Sequence, residues 1–147
     1  MLTEKLLIVD DVGELRKLLR LTLGYGIYQI HEAKSGAEAL AMAQALVPDV
    51  VILDVMMPGE IDGLEVCGAI RRDPKLKSVF VVILSARGQQ ADIEAGRRAG
   101  ADDYLVKPFR PGELIEVVES RRRIDAPRID TSDGVPQQSG FQKKEGS

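Results

Sequence analysis

Three short, unbroken apolar runs constrain the fold of this chain most strongly. They are Leu6 to Val9, Val50 to Leu53 and Val79 to Leu84, and they contain only Leu, Ile, Val and one Phe. Such runs are typical of strands buried on both faces of a parallel sheet. Tyr28 to His31 alternates between polar and apolar residues and predicts an edge strand. Tyr104 to Val106 predicts a short fifth strand.

Helical spacing of apolar residues fills the intervals between these strands. Ser35 and Glu38 form a capping-box pattern before the second helix, and Pro111 opens the fifth. Strict alternation of five strands with five helices predicts an α/β fold, a doubly wound parallel sheet covered on both faces. One face of the first helix carries Leu15, Leu18, Leu19 and Thr22. On the fifth helix, the residues predicted to face inward are Leu114, Ile115 and Val118.

Length and composition are those of one globular domain. The 147 residues are 44% hydrophobic and carry a net charge of −3, which argues against sequence-independent binding of nucleic acid. A single cysteine, Cys67, excludes an internal disulfide and fits the buried face of the third helix. The periodic pattern ends near Ile124. We therefore predict a domain over residues 1–124, followed over 125–147 by a flexible tail or a linker to an output domain outside this chain.

Polar residues follow the carboxyl ends of the predicted strands, where open parallel sheets bind ligands. Asp10 and Asp11 follow the first strand, Asp54 ends the third, Ser85 ends the fourth and Lys107 ends the fifth. Three neighbouring carboxylates repel one another, and a divalent cation that prefers oxygen ligands removes the conflict. We predict a Mg²⁺ site here, with Mn²⁺ as an alternative. A carboxylate can also attack phosphorus to give an aspartyl phosphate.

In this order, these residues make the chain resemble the receiver domain of two-component response regulators. The resemblance extends from about Lys5 to about Arg122. It implies a flavodoxin-like, CheY-like fold with the sheet order 2-1-3-4-5. The matching segments are Val9-Asp10-Asp11, Leu53 to Gly59, Asp62-Gly63, Leu84-Ser85-Ala86, Gly100 to Tyr104 and Lys107-Pro108-Phe109.

The resemblance also implies a role for each matching site residue. Asp54 would be the phosphoacceptor. The metal ligands would be Asp10, Asp11, Asp54 and the main-chain carbonyl of Met56. The phosphoryl group would be bound by Lys107, Ser85 and the main-chain amide of Ala86. Ser85 and Tyr104 would form a switch pair, and the Lys107–Pro108 peptide bond would be cis.

The implied function is a phosphorylation-controlled receiver in a two-component phosphorelay, and not an enzyme that turns over an external substrate. The phosphoryl group would come from a sensor histidine kinase or a histidine phosphotransfer protein. The face made by the fourth helix, the fifth strand and the fifth helix would then bind a downstream protein, an output domain of the same protein or a second copy. We expect a cytoplasmic location, with neither nucleic acid nor membrane bound by this chain.

Other interpretations of the same residues remain open. The chain could be the receiver fragment of a longer transcriptional or enzymatic regulator, or a receiver used only for docking. A metal-dependent aspartate phosphohydrolase would need an acid two positions after the nucleophile, where this chain has Met56. A flavodoxin-like flavin protein would not place Asp10 and Asp11 beside a phosphate.

Three single residues have simpler interpretations. Ser85 could cap the following helix. The only histidine, His31, fits an edge-strand position. The loop Gly59-Glu60-Ile61 has one residue more than the receiver pattern between Pro58 and Asp62, so Glu60 could be a harmless insertion or could lean over the site.

Overall fold

The structure is a computed structural model that describes residues 4–24, 28–55 and 62–125, with side chains described as far as Arg121. Five strands alternate with five α-helices along this part of the chain. The elements are β1 Glu4–Val9, α1 Gly13–Leu23, β2 Tyr28–Ala33, α2 Gly36–Leu46, β3 Val50–Asp54, α3 Gly63–Arg72, a 3-10 turn Pro74–Leu76, β4 Phe80–Ser85, α4 Gln90–Ala99, β5 Asp103–Val106 and α5 Pro111–Asp125.

The strands form one parallel sheet in the order β2-β1-β3-β4-β5, as the resemblance implies. All residues of β3 and β4 are buried, in keeping with their unbroken apolar sequences. Strand β2 lies at an edge and is only partly buried, which confirms the edge position predicted for His31. The predicted fold class is therefore confirmed.

Two apolar clusters cover the two faces of the sheet. On one face, α1 and α5 contribute residues such as Leu19, Leu23, Leu114 and Val118. On the other face, helices α2, α3 and α4 pack against the same strands. Cys67 lies in this second cluster and is fully buried, as predicted.

The helix boundaries follow local chemistry. Ser35 Oγ accepts a hydrogen bond from the amide of Glu38 and caps α2. Asp62 and Glu65 form a reciprocal capping box at the start of α3. Pro111 is the first residue of α5, where its missing N–H removes no helical hydrogen bond.

Two apolar residues of the helices are more exposed than their neighbours on the same face. Ile115 was predicted to face inward, and that prediction is wrong because it is 41% exposed. Leu18 shares its predicted face with the buried Leu19 but is 53% exposed. Each residue lies at the edge of an apolar stripe that is wider than the contact with the sheet. The packed positions are Leu19 and Leu23 on α1, and Leu114 and Val118 on α5.

None of the helices in the described part of the chain has the length and apolar character of a membrane span.

Candidate functional site

The strand register places the acidic residues next to one another. Val9 pairs with Leu53 across the β1–β3 ladder, so Asp10 and Asp54, the next residues along each strand, lie side by side at the carboxyl edge. Asp11 follows Asp10 on the exposed β1–α1 turn. One carboxylate oxygen from each of Asp10, Asp11 and Asp54 lies within 4.8 Å of the others. The three residues predicted from the sequence are thus brought together.

Asp10 is the most deeply buried of the three carboxylates, at 1% exposure. Its Oδ1 accepts a hydrogen bond of 2.9 Å from the amide of Val12. Its Oδ2 is buried and has no hydrogen-bond partner among the described residues. Burial raises the pKa of Asp10, and the nearby charges of Asp54 and Asp11 raise it further. The site therefore concentrates negative charge that protein groups neutralise only in part.

Lys107 supplies a positive charge beside Asp54. Its Nζ lies 3.7 Å from Asp54 Oδ1, and the Asp54 side chain is only 5% exposed. Lys107 is held by its own main chain, because its amide donates to the carbonyl of Ser85 at 2.8 Å, one step beyond the β4–β5 ladder. The Lys107–Pro108 peptide bond is cis.

The end of β4 links Ser85 to Tyr104 through the main chain of Arg87. Ser85 Oγ accepts a hydrogen bond of 3.0 Å from the Arg87 amide, and Tyr104 Oη donates one of 2.8 Å to the Arg87 carbonyl. Tyr104 is 2% exposed, and burial raises the pKa of its hydroxyl. The interpretation of Ser85 as a helix cap is wrong, because α4 begins only at Gln90, with Gln89 as its N-cap.

Gly63 packs against the main chain that carries Asp54. A Cβ atom on Gly63 would lie 2.5 Å from the Asp54 carbonyl oxygen and 2.6 Å from Val55 Cα. Backbone atoms cannot yield to such a contact, so only glycine fits at this first residue of α3. The Asp62-Gly63 pair therefore caps α3 and also lets the helix approach the carboxyl end of β3.

Three predicted features lie wholly or largely outside the described residues. Met56, the implied carbonyl ligand, and Glu60, the extra loop residue, lie outside the described residues. The predicted tail over 125–147 also lies outside them, apart from Asp125, the last residue of α5. Ala86, whose main-chain amide is the implied hydrogen-bond donor to the phosphoryl group, follows Ser85 directly and is exposed.

Sequence reasoning missed two residues that support the site. Arg16 Nη1 donates a hydrogen bond of 2.8 Å to the main-chain carbonyl of Asp10. Gly96 on α4 faces the ring of Tyr104, where a Cβ atom would lie 2.8 Å from Cδ2. A glycine in the middle of a helix costs about 1 kcal/mol relative to alanine, and that cost is the sequence signal that could have indicated Gly96. Arg16 has no comparable signal, since basic residues are common on exposed helices.

The chemistry of the cluster fits a hard divalent cation. Mg²⁺ prefers oxygen ligands and is commonly held by one or two carboxylates together with waters. Asp10 Oδ2 is a buried oxygen with no hydrogen-bond partner among the described residues. One carboxylate oxygen of each of Asp10, Asp11 and Asp54 lies close enough to the others to contact one ion. Fold and site together define a doubly wound α/β protein with a cluster of three carboxylates beside a lysine at the carboxyl edge of its sheet.

Comparison with known proteins agrees with this description. The sequence model of the response regulator receiver domain matches residues 6–119. The chain is 43% identical over 119 residues to the transcriptional regulatory protein ResD of Bacillus subtilis, covering 81% of this chain and 48% of ResD. It is 37% identical over 120 residues to the DNA-binding response regulator MtrA of Mycobacterium leprae, covering 82% of this chain and 52% of MtrA. The chain thus spans about half the length of these relatives.

Solved structures show the same fold. A response regulator from Chloroflexus aurantiacus aligns with a TM-score of 0.77 and 40% identity over 82% of this chain and 98% of its own. The chemotaxis response regulator CheY4 of Vibrio cholerae aligns with a TM-score of 0.76 and 33% identity over 82% of this chain and 99% of its own. The chain belongs to the response regulator receiver domain family of two-component systems.

Proposed function

We propose that this receiver takes a phosphoryl group onto Asp54 in a reaction that depends on Mg²⁺. The observation that carries the proposal is the convergence of three carboxylates within 4.8 Å of one another, with Lys107 Nζ 3.7 Å from Asp54 Oδ1. Phosphoryl transfer requires mainly positioning and neutralisation of charge, and this arrangement supplies both.

The transfer needs one nucleophile and several charge-neutralising groups. A carboxylate oxygen of Asp54 attacks phosphorus, so that an O–P bond forms while the bond from phosphorus to the donor breaks and its electron pair leaves with the donor. Asp10, Asp11, Asp54 and the carbonyl of Met56 would hold Mg²⁺ or Mn²⁺, which supplies positive charge to the phosphoryl oxygens. Lys107 would pair with the same group, and the Ser85 hydroxyl and Ala86 amide would donate hydrogen bonds to it.

The switch would pass through the main chain of Arg87. Ser85 Oγ accepts from the Arg87 amide, and the Ser85 side chain also hydrogen-bonds Tyr104. The single hydroxyl proton of Ser85 would therefore turn from Tyr104 to donate to a phosphoryl oxygen. A shift of Ser85 toward the phosphoryl group would move the Arg87 amide and, through the Arg87 backbone, the carbonyl of the following peptide, which accepts from Tyr104. Phosphorylation would then favour one arrangement of the face made by α4, β5 and α5.

Membership of the family supports a proposal for the donor and for the output. We propose a sensor histidine kinase or histidine phosphotransfer protein as donor. The output would be a DNA-binding domain of the kind named for MtrA, a separate protein or a second copy at the α4–β5–α5 face. Residues 1–124 would be the receiver and 125–147 the linker or tail. The similarity to transcriptional regulators supports a cytoplasmic location. We propose self-phosphorylation and self-dephosphorylation as the only chemistry of the chain.

Intact-mass measurement tests the proposal directly. The protein is incubated with acetyl phosphate, with and without Mg²⁺, alongside Asp54→Ala. We expect one phosphoryl adduct that requires Mg²⁺ and is absent from Asp54→Ala. An adduct retained by Asp54→Ala would reject Asp54 as acceptor, and no adduct from any phosphohistidine or small-molecule donor would reject the function.

A further inference from the structure

Arg16 connects the acidic site to the neighbouring strand. It lies in α1, one turn beyond the β1–α1 turn that carries Asp10 and Asp11. Its Nη1 donates to the Asp10 carbonyl at 2.8 Å, and its Nε donates to Glu32 Oε1 on β2 at 3.0 Å. The Arg16 side chain is only 19% exposed. One guanidinium thus joins the carboxyl end of β1 to the adjacent edge strand.

Hydrogen bonds then fix every polar atom of Asp10 except one. Its amide donates to the Ala33 carbonyl at 3.1 Å, and its carbonyl accepts from Arg16. Its Oδ1 accepts from the Val12 amide. The remaining atom, Oδ2, is the buried oxygen without a partner among the described residues. The main chain of Asp10 is held on both sides, and the bond from the Val12 amide restrains the carboxylate itself.

We propose that Arg16 is a positioning residue for the cation site: it holds the main chain of Asp10 so that the Asp10 carboxylate lies beside those of Asp11 and Asp54. The proposal rests on the proposed function, since it assigns a role to the same site. Hydrogen bonds that orient metal-binding residues typically change metal affinity by roughly 10–100-fold when they are removed. Arg16 acts on geometry, because its guanidinium contacts the carbonyl of Asp10 and not the carboxylate.

Arg20 provides a matched control on the same helix. Its Nε donates to the other oxygen of Glu32 at 2.7 Å, and its Nη2 contacts the Ile30 carbonyl at 3.3 Å. Both arginines lower the pKa of Glu32, and Arg20 has the larger effect. No contact described for Arg20 reaches Asp10. Arg20 therefore shares the helix, the charge and the acceptor with Arg16 but lacks the link to the site.

The shape of the guanidinium matters as well as its charge. Arginine presents several N–H groups in a planar fork, so it can bind Glu32 and the Asp10 carbonyl at the same time. The ammonium of a lysine has a single nitrogen at the end of a shorter chain and cannot span both acceptors in the same way. Arg16→Lys therefore keeps the charge and loses the bridge.

The experiment measures binding of Mg²⁺ alone, by NMR titration of the metal-free protein. Wild type is compared with Arg16→Gln, Arg16→Lys and Arg20→Gln, and the amide spectrum of each variant shows whether it is folded. We expect the Kd for Mg²⁺ to rise roughly tenfold in both Arg16 variants and to stay within about twofold in Arg20→Gln. In the acetyl phosphate reaction, saturating Mg²⁺ should restore the phosphorylation rate of Arg16→Lys.

The possible failures are distinguishable. If wild type binds Mg²⁺ and is phosphorylated while Arg16→Gln and Arg20→Gln have equal affinities, the role of Arg16 is refuted and the proposed function stands. A normal affinity in Arg16→Lys would also refute positioning by the guanidinium and would indicate a role for charge alone. If wild type binds no Mg²⁺, the proposed function and the role of Arg16 fail together.

Discussion

Gly96 lies within α4, and its missing side chain leaves room for the ring of Tyr104. A Cβ atom there would lie 2.8 Å from Cδ2 and 3.0 Å from Cε2 of Tyr104, and 3.3 Å from Ile83 Cδ1. The ring cannot move away easily, because Tyr104 Oη donates a hydrogen bond to the Arg87 carbonyl and the side chain is buried. Gly96→Ala should therefore either strain this packing or expel the ring.

The two opposing contributions to stability can be estimated. Replacing a glycine inside a helix by alanine contributes about 1 kcal/mol of stability. Overpacking a buried contact costs about 1–3 kcal/mol, and losing the tyrosine hydrogen bond costs about 1 kcal/mol more. We expect Gly96→Ala to lower the free energy of unfolding by about 1–2 kcal/mol.

Gly68→Ala on α3 is the matched control. A Cβ atom at Gly68 would meet only the tip of the Arg72 side chain at 3.3 Å. The free energy of unfolding of Gly68→Ala should therefore rise by about 1 kcal/mol. Thermal unfolding should then separate the two variants by roughly 6–9 °C. Fluorine NMR of labelled tyrosine, with Tyr104→Phe to assign the signal, reports whether the ring leaves its pocket. Equal stabilisation of both variants would refute the argument that Gly96 makes room for Tyr104.

Two further predictions concern buried ionisable groups. Burial raises the pKa of Asp10, so the folded protein binds this proton more tightly than the unfolded chain does. The resulting stability is fully present below the ordinary pKa of aspartate and is lost as the pH rises through the raised pKa. Asp10→Asn should therefore raise the melting temperature at pH 7 by a few degrees in metal-free buffer. Added Mg²⁺ should stabilise only wild type. A lower melting temperature for Asp10→Asn than for wild type in metal-free buffer would contradict this prediction. Burial also raises the pKa of Cys67 to about 11, so only about 0.1% is thiolate at pH 8. Iodoacetamide should label Cys67 far more slowly in the folded protein than in guanidinium, and equal rates would show that the thiol is accessible.

The sequence by itself determined the order of the elements and the composition of the acidic site. Unbroken apolar runs can be buried only between two layers of helices, and this requirement indicated a parallel sheet. The carboxyl ends of parallel strands share one edge, so Asp10, Asp54 and Lys107 had to converge there. These conclusions depend on local patterns and on topology, both of which a sequence carries.

Only the tertiary structure decided how each helix is rotated and which neighbours hold the site. Leu18 and Ile115 are apolar but exposed, because an apolar stripe does not specify which of its residues meets the sheet. The bridge from Arg16 to the Asp10 carbonyl joins residues on two elements, and the contact of Gly96 with Tyr104 joins α4 to β5. Such contacts depend on distances between packed elements, which the periodicity of a single segment does not encode.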